Sequence, residues 1–370
     1  MTFIVFFIIL AVLVLTHELG HFLAAKKAGA KVLEFGFGFP PRLWSFKYGE
    51  TEYSINWIPF GGFVKILGED GNPACAIIDG QIPSGSLASK NRFVQAGVLA
   101  AGVIFNILLA WFILSLGLSF GMPTTRDGVP DGYTLDKQQL IISEVLPNSP
   151  AAEAKLQAGE IIVYLADWKE KITNPSVTEV QQFVAAHGDQ SMTIGYLSLP
   201  TETEAKEVKI IPRSEVIGST PALGISMTEV GILKLPWYVA IWEGLKLTGL
   251  VIWSIILALI GLVAGIFRGQ TEVLSSVTGP IGLISVVGSS LSLGWSYLLN
   301  LTAVISLNLA VINFMPFPAL DGGRILFLAI EAITRRPINQ KIAEGLNAAG
   351  FFILISLMLV LTLRDIVHLF

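Results

Sequence analysis

From Thr2 to Thr16 the chain has no charged side chain, and the next five residues read HELGH. The apolar character then resumes with FLAA before Lys26 and Lys27. About 20 apolar residues cross the hydrocarbon of a bilayer as a helix. Only helices and closed barrels satisfy their backbone groups there. Residues 2–24 are therefore expected to form a retained transmembrane helix. No basic segment precedes the run and no small-residue cleavage site follows it, as a removable signal would require. His17, Glu18 and His21 then lie at membrane depth, where ionisable groups are costly and by default mark function.

The rest of the chain supports a multi-pass α-helical membrane protein. Of its 370 residues 53% are hydrophobic, and the mean hydropathy is +0.67, too apolar for an ordinary soluble domain. A net charge of only −4 points to no nucleic-acid partner. Further spans are expected at 93–120, 297–317 and 348–363. A fifth apolar run, 247–267, is long enough to cross, but charge argues against it. Lys26, Lys27, Lys31, Arg42, Lys47, Lys90 and Arg92 flank the first two spans on one side; Arg324, Arg335, Arg336 and Lys341 lie between the last two. Both loops are cytoplasmic by the positive-inside rule. Residues 121–296 then start and end outside, so an odd crossing within them breaks the pattern. The segment 236–267, opening WYVAIWEGLK, is expected to lie along the membrane or against the bundle. That leaves four transmembrane helices.

Between the spans, RLWSFKYGETEYSINWI alternates, with Trp44, Phe46 and Tyr48 before Gly49 and Tyr53, Ile55 and Trp57 after it. This predicts a β-hairpin over 42–58 with one aromatic face, either dipping into the membrane or packed on the bundle. The polar loop 67–92 holds Cys75, the single cysteine, which excludes an internal disulfide. Residues 121–232 form the one sizeable soluble domain, of α+β type. The chain thus divides into a first membrane half (1–120), the soluble domain (121–232), a membrane-associated region (233–296) and a second membrane half (297–370).

HELGH is an H-E-x-x-H motif. On a helix its two histidines share one face and can hold one ion, which for neutral imidazole suits zinc. Glu18 beside them is placed to accept a proton from water activated by that ion. Catalytic zinc sites take three protein ligands and leave one position open. His187 and His368 are poorly placed to be the third. Asp321, in NFMPFPALDGGR, follows a transmembrane run that Pro316 and Pro318 must break, and broken backbone at membrane depth needs protein or a wet cavity around it. Its bland reading is a helix N-cap; beside HELGH, a ligand is favoured. Asn106 reads as interhelical glue.

HELGH in the first span, AGVIFN in the second, an inserted soluble domain and NFMPFPALDGG in the third resemble the site-2 protease family, in particular its bacterial branch acting on regulators of sigma factors. The resemblance covers nearly the whole chain. It implies an intramembrane zinc metalloprotease that cuts within or near transmembrane segments of membrane proteins already trimmed by another protease. It assigns zinc to His17, His21 and Asp321 and catalysis to Glu18. It makes the hairpin a membrane-associated β element and 121–232 a PDZ domain, from SPAAEAKLQAGEIIVYL. It also implies substrate contacts for Asn313, Gly36 and Gly38, where capping by Asn313 and tight turns at the glycines are equal alternatives. Two features depart from the pattern. Val103 stands where a proline often follows Ala-Gly, and there is room for one PDZ domain where a well-known member carries two. The implied location is the inner cell membrane, with the PDZ domain outside and the active site in the cytoplasmic half. The competing readings are a membrane-tethered PDZ scaffold with a non-catalytic metal and a transporter. The first needs a fourth ligand to close its site; the second needs paired broken helices in two similar halves.

Overall fold

The computed structural model describes residues 1–69, 85–198, 204–217, 220–269, 279–336 and 338–369. Cys75 and most of the loop around it lie outside these residues.

Helix α1 (Thr2–Lys27) and α2 (Arg92–Phe120) match the first two expected spans. They approach at backbone distance: a Cβ on Gly20 would stand 2.5 Å from the carbonyl oxygen of Ala101. Close approach of this kind lets helices associate in lipid, where burial of apolar surface gives no driving force. Between them run β1 (Val32–Tyr48) and β2 (Thr51–Ile66). The hairpin turns at Gly49, whose φ of 62° suits a left-handed turn. Tyr48 opposes Thr51, Phe46 opposes Tyr53 and Trp44 opposes Ile55. Phe46 and Tyr53 stack at 5.2 Å, with Trp44 5.0 Å from Phe46, which forms the expected aromatic face. The element is larger than a hairpin, however. Gly36 opposes Phe63 on one side and Ser54 on the other, so both strands fold back and four segments lie in the order 62–66, 32–39, 51–58, 42–48. The Gly- and Pro-rich flanks, GFGFPP and PFGGFVKI, are strands of this sheet or its bends.

Helix α3 (Pro150–Glu153) and α4 (Val177–Ala186) belong to the β-rich region 122–233. Its strands are β3 (Met122–Thr125), β4 (Asp136–Val145), β5 (Ile161–Ala166), β6 (Lys171–Thr173), β7 (Met192–Leu197), β8 (Lys206–Ile210), β9 (Arg213–Ile217), β10 (Thr220–Ala222) and β11 (Ile225–Leu233). The main sheet runs β3-β11-β4-β5-β7-β8. α4 starts on a complete capping box between Ser176 and Glu179 and packs Val180, Phe183 and Val184 into the domain core with Ile142, Leu165 and Ile194.

Helix α5 (Trp237–Phe267), α6 (Pro280–Leu293), α7 (Trp295–Phe314), α8 (Asp321–Thr334) and α9 (Gln340–Leu369) complete the chain. Among the described residues five helices, α1, α2, α5, α7 and α9, are long and apolar enough to cross a membrane, one more than expected. The extra one is α5. Its charges, Glu243 and Lys246, sit in its first ten residues, and from Leu247 to Phe267 no face is charged, so only its start has the character of an interfacial helix. α9 is also longer than 348–363 at both ends, because the more polar 340–347 and the charged pair Arg364 and Asp365 continue the same helix.

The chain divides into two compact units. One contains residues 1–114, 244–289 and 299–370; the other contains 115–243 and 290–298.

Candidate active site

Residues 17 and 21 fall on one face of α1, and both imidazoles are buried. α7 ends at Phe314, where Pro316 and Pro318 cannot donate to a helical ladder. The chain turns and restarts as α8. Gly322 tucks so tightly under the turn that any Cβ would strike the carbonyls of Phe314 and Met315. This turn carries Asp321 to α1. Its Oδ2 lies 3.0 Å from His17 Nε2 and 3.4 Å from His21 Nε2, and the two Nε2 atoms are 3.2 Å apart. The capping reading of Asp321 does not hold, since the N-cap position of α8 is Leu320.

Three lone-pair atoms therefore converge in a triangle with edges of 3.0, 3.2 and 3.4 Å. Ligands about 2.0–2.1 Å from a tetrahedral zinc stand about 3.3 Å from one another. The residues present fit zinc. They leave one tetrahedral position for water or substrate. No other group of this kind with three candidate ligands occurs among the described residues.

The walls of the site come from elements that the motif does not reveal. His21 Nδ1 lies 2.9 Å from the carbonyl oxygen of Val98, and the Asn106 side-chain amide lies 3.3 Å from His17 Nδ1. Between them Gly102 faces the rings: a Cβ there would be 2.8 Å from His17 Nε2 and closer still to His21 Nε2. Glu18 is covered by the sheet, because a Cβ on Gly62 would stand 3.0 Å from its Cγ. Asn313 Nδ2 lies 3.4 Å from His17 Nε2, so the fold brings this residue beside the histidines. Gly36 and Gly38 lie inside the sheet. A Cβ on Gly36 would enter the Phe63 ring; Gly38 has a φ of 80° and faces the carbonyl of Ile58. Arg324, one turn beyond Asp321, pairs with Glu69 just past β2. His187 is engaged elsewhere, with Asp167 Oδ2 at 2.9 Å. Sequence reasoning missed Gly102 and Gly62, and it took Asn106 for glue alone. The only signals were small residues in the AAG and FGG stretches.

Residues 5–357 match peptidase family M50. A protein of Clostridium perfringens named as a zinc metalloprotease is 33% identical over 367 residues, covering 96% of this chain and 95% of its own. One of Nostoc sp., named likewise, is 30% identical over 361 residues, covering 96% and 93%. The regulator of sigma-W protease RasP of Bacillus subtilis is 28% identical over 447 aligned positions, covering 100% and 99%. The chain belongs to peptidase family M50. It is an intramembrane zinc metalloprotease.

Proposed function

We propose that His17, His21 and Asp321 hold the zinc, that Glu18 is the proton acceptor, and that the substrate is a transmembrane segment of a regulatory membrane protein, such as an anti-sigma factor or a signal-peptide remnant, trimmed beforehand by another protease. The triangle of His17, His21 and Asp321 carries this reading. Zinc, when bound, makes water nucleophilic and polarises the scissile carbonyl. Glu18, next to His17 on α1, takes the proton and returns it to the leaving amine. The name of the RasP relative supports the regulatory class of substrate.

A helical amide is shielded, so the substrate must unwind, and its freed N–H and C=O groups need partners in lipid. Strand addition to the sheet formed by β1 and β2 supplies them. Of the two outer segments, 62–66 is the better placed, because Gly62 adjoins Glu18; the 42–48 segment is the other edge. Asn313, within reach of His17, holds the substrate strand. Gly36 and Gly38 serve the substrate through the sheet whose close packing they permit.

We place the protein in the inner cell membrane with four net crossings. Arg324 pairs with Glu69, which supports a common side for the start of α8 and for the basic loop after β2. An even number of crossings must then separate α2 from α7. α5 runs beside α7, sharing an apolar groove at Ile256, Ile260, Val311 and Met315, and on this reading residues 233–296 make no net crossing.

The extracytoplasmic domain is read as a PDZ domain that excludes substrates with bulky outer parts. What supports the PDZ type is the pairing of β11: Val230–Leu233 pairs with β3 and β4, but Ile225–Glu229 pairs with β4 alone, behind Gly224 with φ 75°. The half-open strand also favours a second reading, recruitment of a free peptide end by strand addition. Deleting 125–230 with a short linker separates them. Exclusion requires uncut substrate to become cleavable; recruitment requires trimmed substrate to be lost.

The function is tested by membrane proteomics of cells carrying wild type or Glu18→Gln. Membrane stubs must accumulate in the variant alone. Identical profiles would refute the proposed substrate class.

A further inference from the structure

Asn106 is fully buried on α2, and its position is fixed from a second side, because Ser306 of α7 donates to its backbone carbonyl at 2.8 Å. Its Nδ2 stands 3.3 Å from His17 Nδ1, while its Oδ1 has no partner among the described residues. The other nitrogen of His17, Nε2, is the one that faces His21 and Asp321. A neutral imidazole whose Nε2 lone pair points at a metal carries its hydrogen on Nδ1. In that tautomer the ring N–H and the amide N–H would confront each other as two donors. Exchanging the two ends of the amide, which are nearly equal in shape, turns this clash into a bond.

We infer that Asn106 is a positioning residue of the metal centre: its Oδ1 accepts the Nδ1–H of His17 and so fixes Nε2 as the metal-binding nitrogen. This rests on the ligand set proposed above. His21 is served in the same way by the same helix, since its Nδ1 donates to the Val98 carbonyl at 2.9 Å. Residues 98, 102 and 106 are spaced by four and form one stripe of α2. The stripe offers an acceptor to one histidine, an acceptor to the other, and between them a glycine with no side chain to obstruct either ring. Such outer partners set ring orientation and ligand basicity, and their loss typically costs about 10–100-fold in metal affinity. Interhelical glue, the reading of a lone membrane asparagine, would act on helix association instead and leave the metal untouched.

The test is zinc affinity, measured by chelator competition on the purified full chain, for wild type, Asn106→Leu, Asn106→Asp and Asp321→Ala. Asn106→Leu, close in volume but without an acceptor, is expected to lose about 10–100-fold. Asn106→Asp, which can only accept, is expected to stay within about threefold of wild type on the same scale. Unchanged affinity in Asn106→Leu, with zinc lost in Asp321→Ala, makes Asn106 glue alone and overturns the inference. Unchanged affinity in Asp321→Ala removes the ligand set on which it rests. If Asn106→Leu does not fold, Asn106→Asp decides: retained zinc supports the acceptor role, and lost zinc means that the amide N–H faces His17.

Discussion

Gly102 of α2 lies so close to His21 Nε2 that a Cβ there would overlap it, with no room for a methyl group between them. The same position crowds His17, so the two histidines of the motif are shaped by a residue 81 positions beyond the second of them. Gly102→Ala should displace both rings and lower zinc affinity by at least about tenfold, as loss of ring orientation does elsewhere. Gly102→Val should be worse. Zinc content after dialysis against a weak chelator checks this, and full retention in both variants would show that the helices part at no cost.

Glu18→Gln and Asp321→Ala should separate chemistry from binding. The first removes the proposed proton acceptor and keeps the proposed ligand triangle, so turnover should fall by about 10²–10⁴ with zinc in place. The second should lose zinc and turnover together. Strong chelation should abolish wild-type activity, and zinc should restore it to wild type but not to Glu18→Gln.

Gly62→Val tests the contact between the sheet and the Glu18 carboxylate. The added carbons would press on Glu18 Cγ and Val14 Cγ1, each 3.0 Å from the Cβ position. Forcing Glu18 off its preferred rotamer should lower kcat by about threefold to tenfold. Zinc stoichiometry should not change. Loss of zinc in this variant would mean that the sheet also supports the ligands.

The β-rich region 122–233 carries a pH signature of its own. His187 donates to Asp167, which also accepts from the backbone N–H groups of Glu170 and Lys169. The bond to His187 is the main cause that holds the Asp167 carboxyl at about 2, and the bond to Asp167 is the main cause that raises His187 above its ordinary value. A depressed carboxylate stabilises above its unfolded value of about 3.9 and loses that contribution as pH falls toward its folded value. A raised histidine stabilises fully below its unfolded value of about 6.5 and loses that contribution as pH rises through its folded value. The pair should therefore protect the end of α4 best between about pH 4 and 6.5. Hydrogen exchange at residues 184–188 of the full chain, compared between wild type and Asp167→Asn, should differ most in that window. A difference independent of pH would mean that the pair does not titrate as a unit.

Much of the site could be read from the chain because its logic is local. HELGH needs only the four-residue repeat of a helix to bring His17 and His21 together, and Pro316 and Pro318 mark the break that delivers Asp321. Gly102, Gly62 and Asn106 could not be read this way. A glycine in a span looks the same whether it faces a neighbouring helix or an imidazole, and a buried asparagine looks the same whether it ties two helices or one ring. The sheet was half legible. Alternation showed 42–58, but 32–39 and 62–66 are bent by Gly and Pro and resemble loops. β11, ISMTEVGIL, gains its strand character from β3 and β4 on either side rather than from its own pattern. In α5 the charged start pointed to an interfacial helix, whereas its uncharged remainder made a long continuous one.

His17 and Asp321 are 304 residues apart in the chain. At about 5–20 residues per second, a ribosome needs roughly 15–60 s to travel from one to the other. For that interval the nascent chain has two histidines and a glutamate but not the carboxylate that we propose as the third ligand. With that ligand set, a protease made this way would be inert through nearly all of its own synthesis. It could attack neither its growing chain nor the other segments leaving the same translocon until Asp321 arrives.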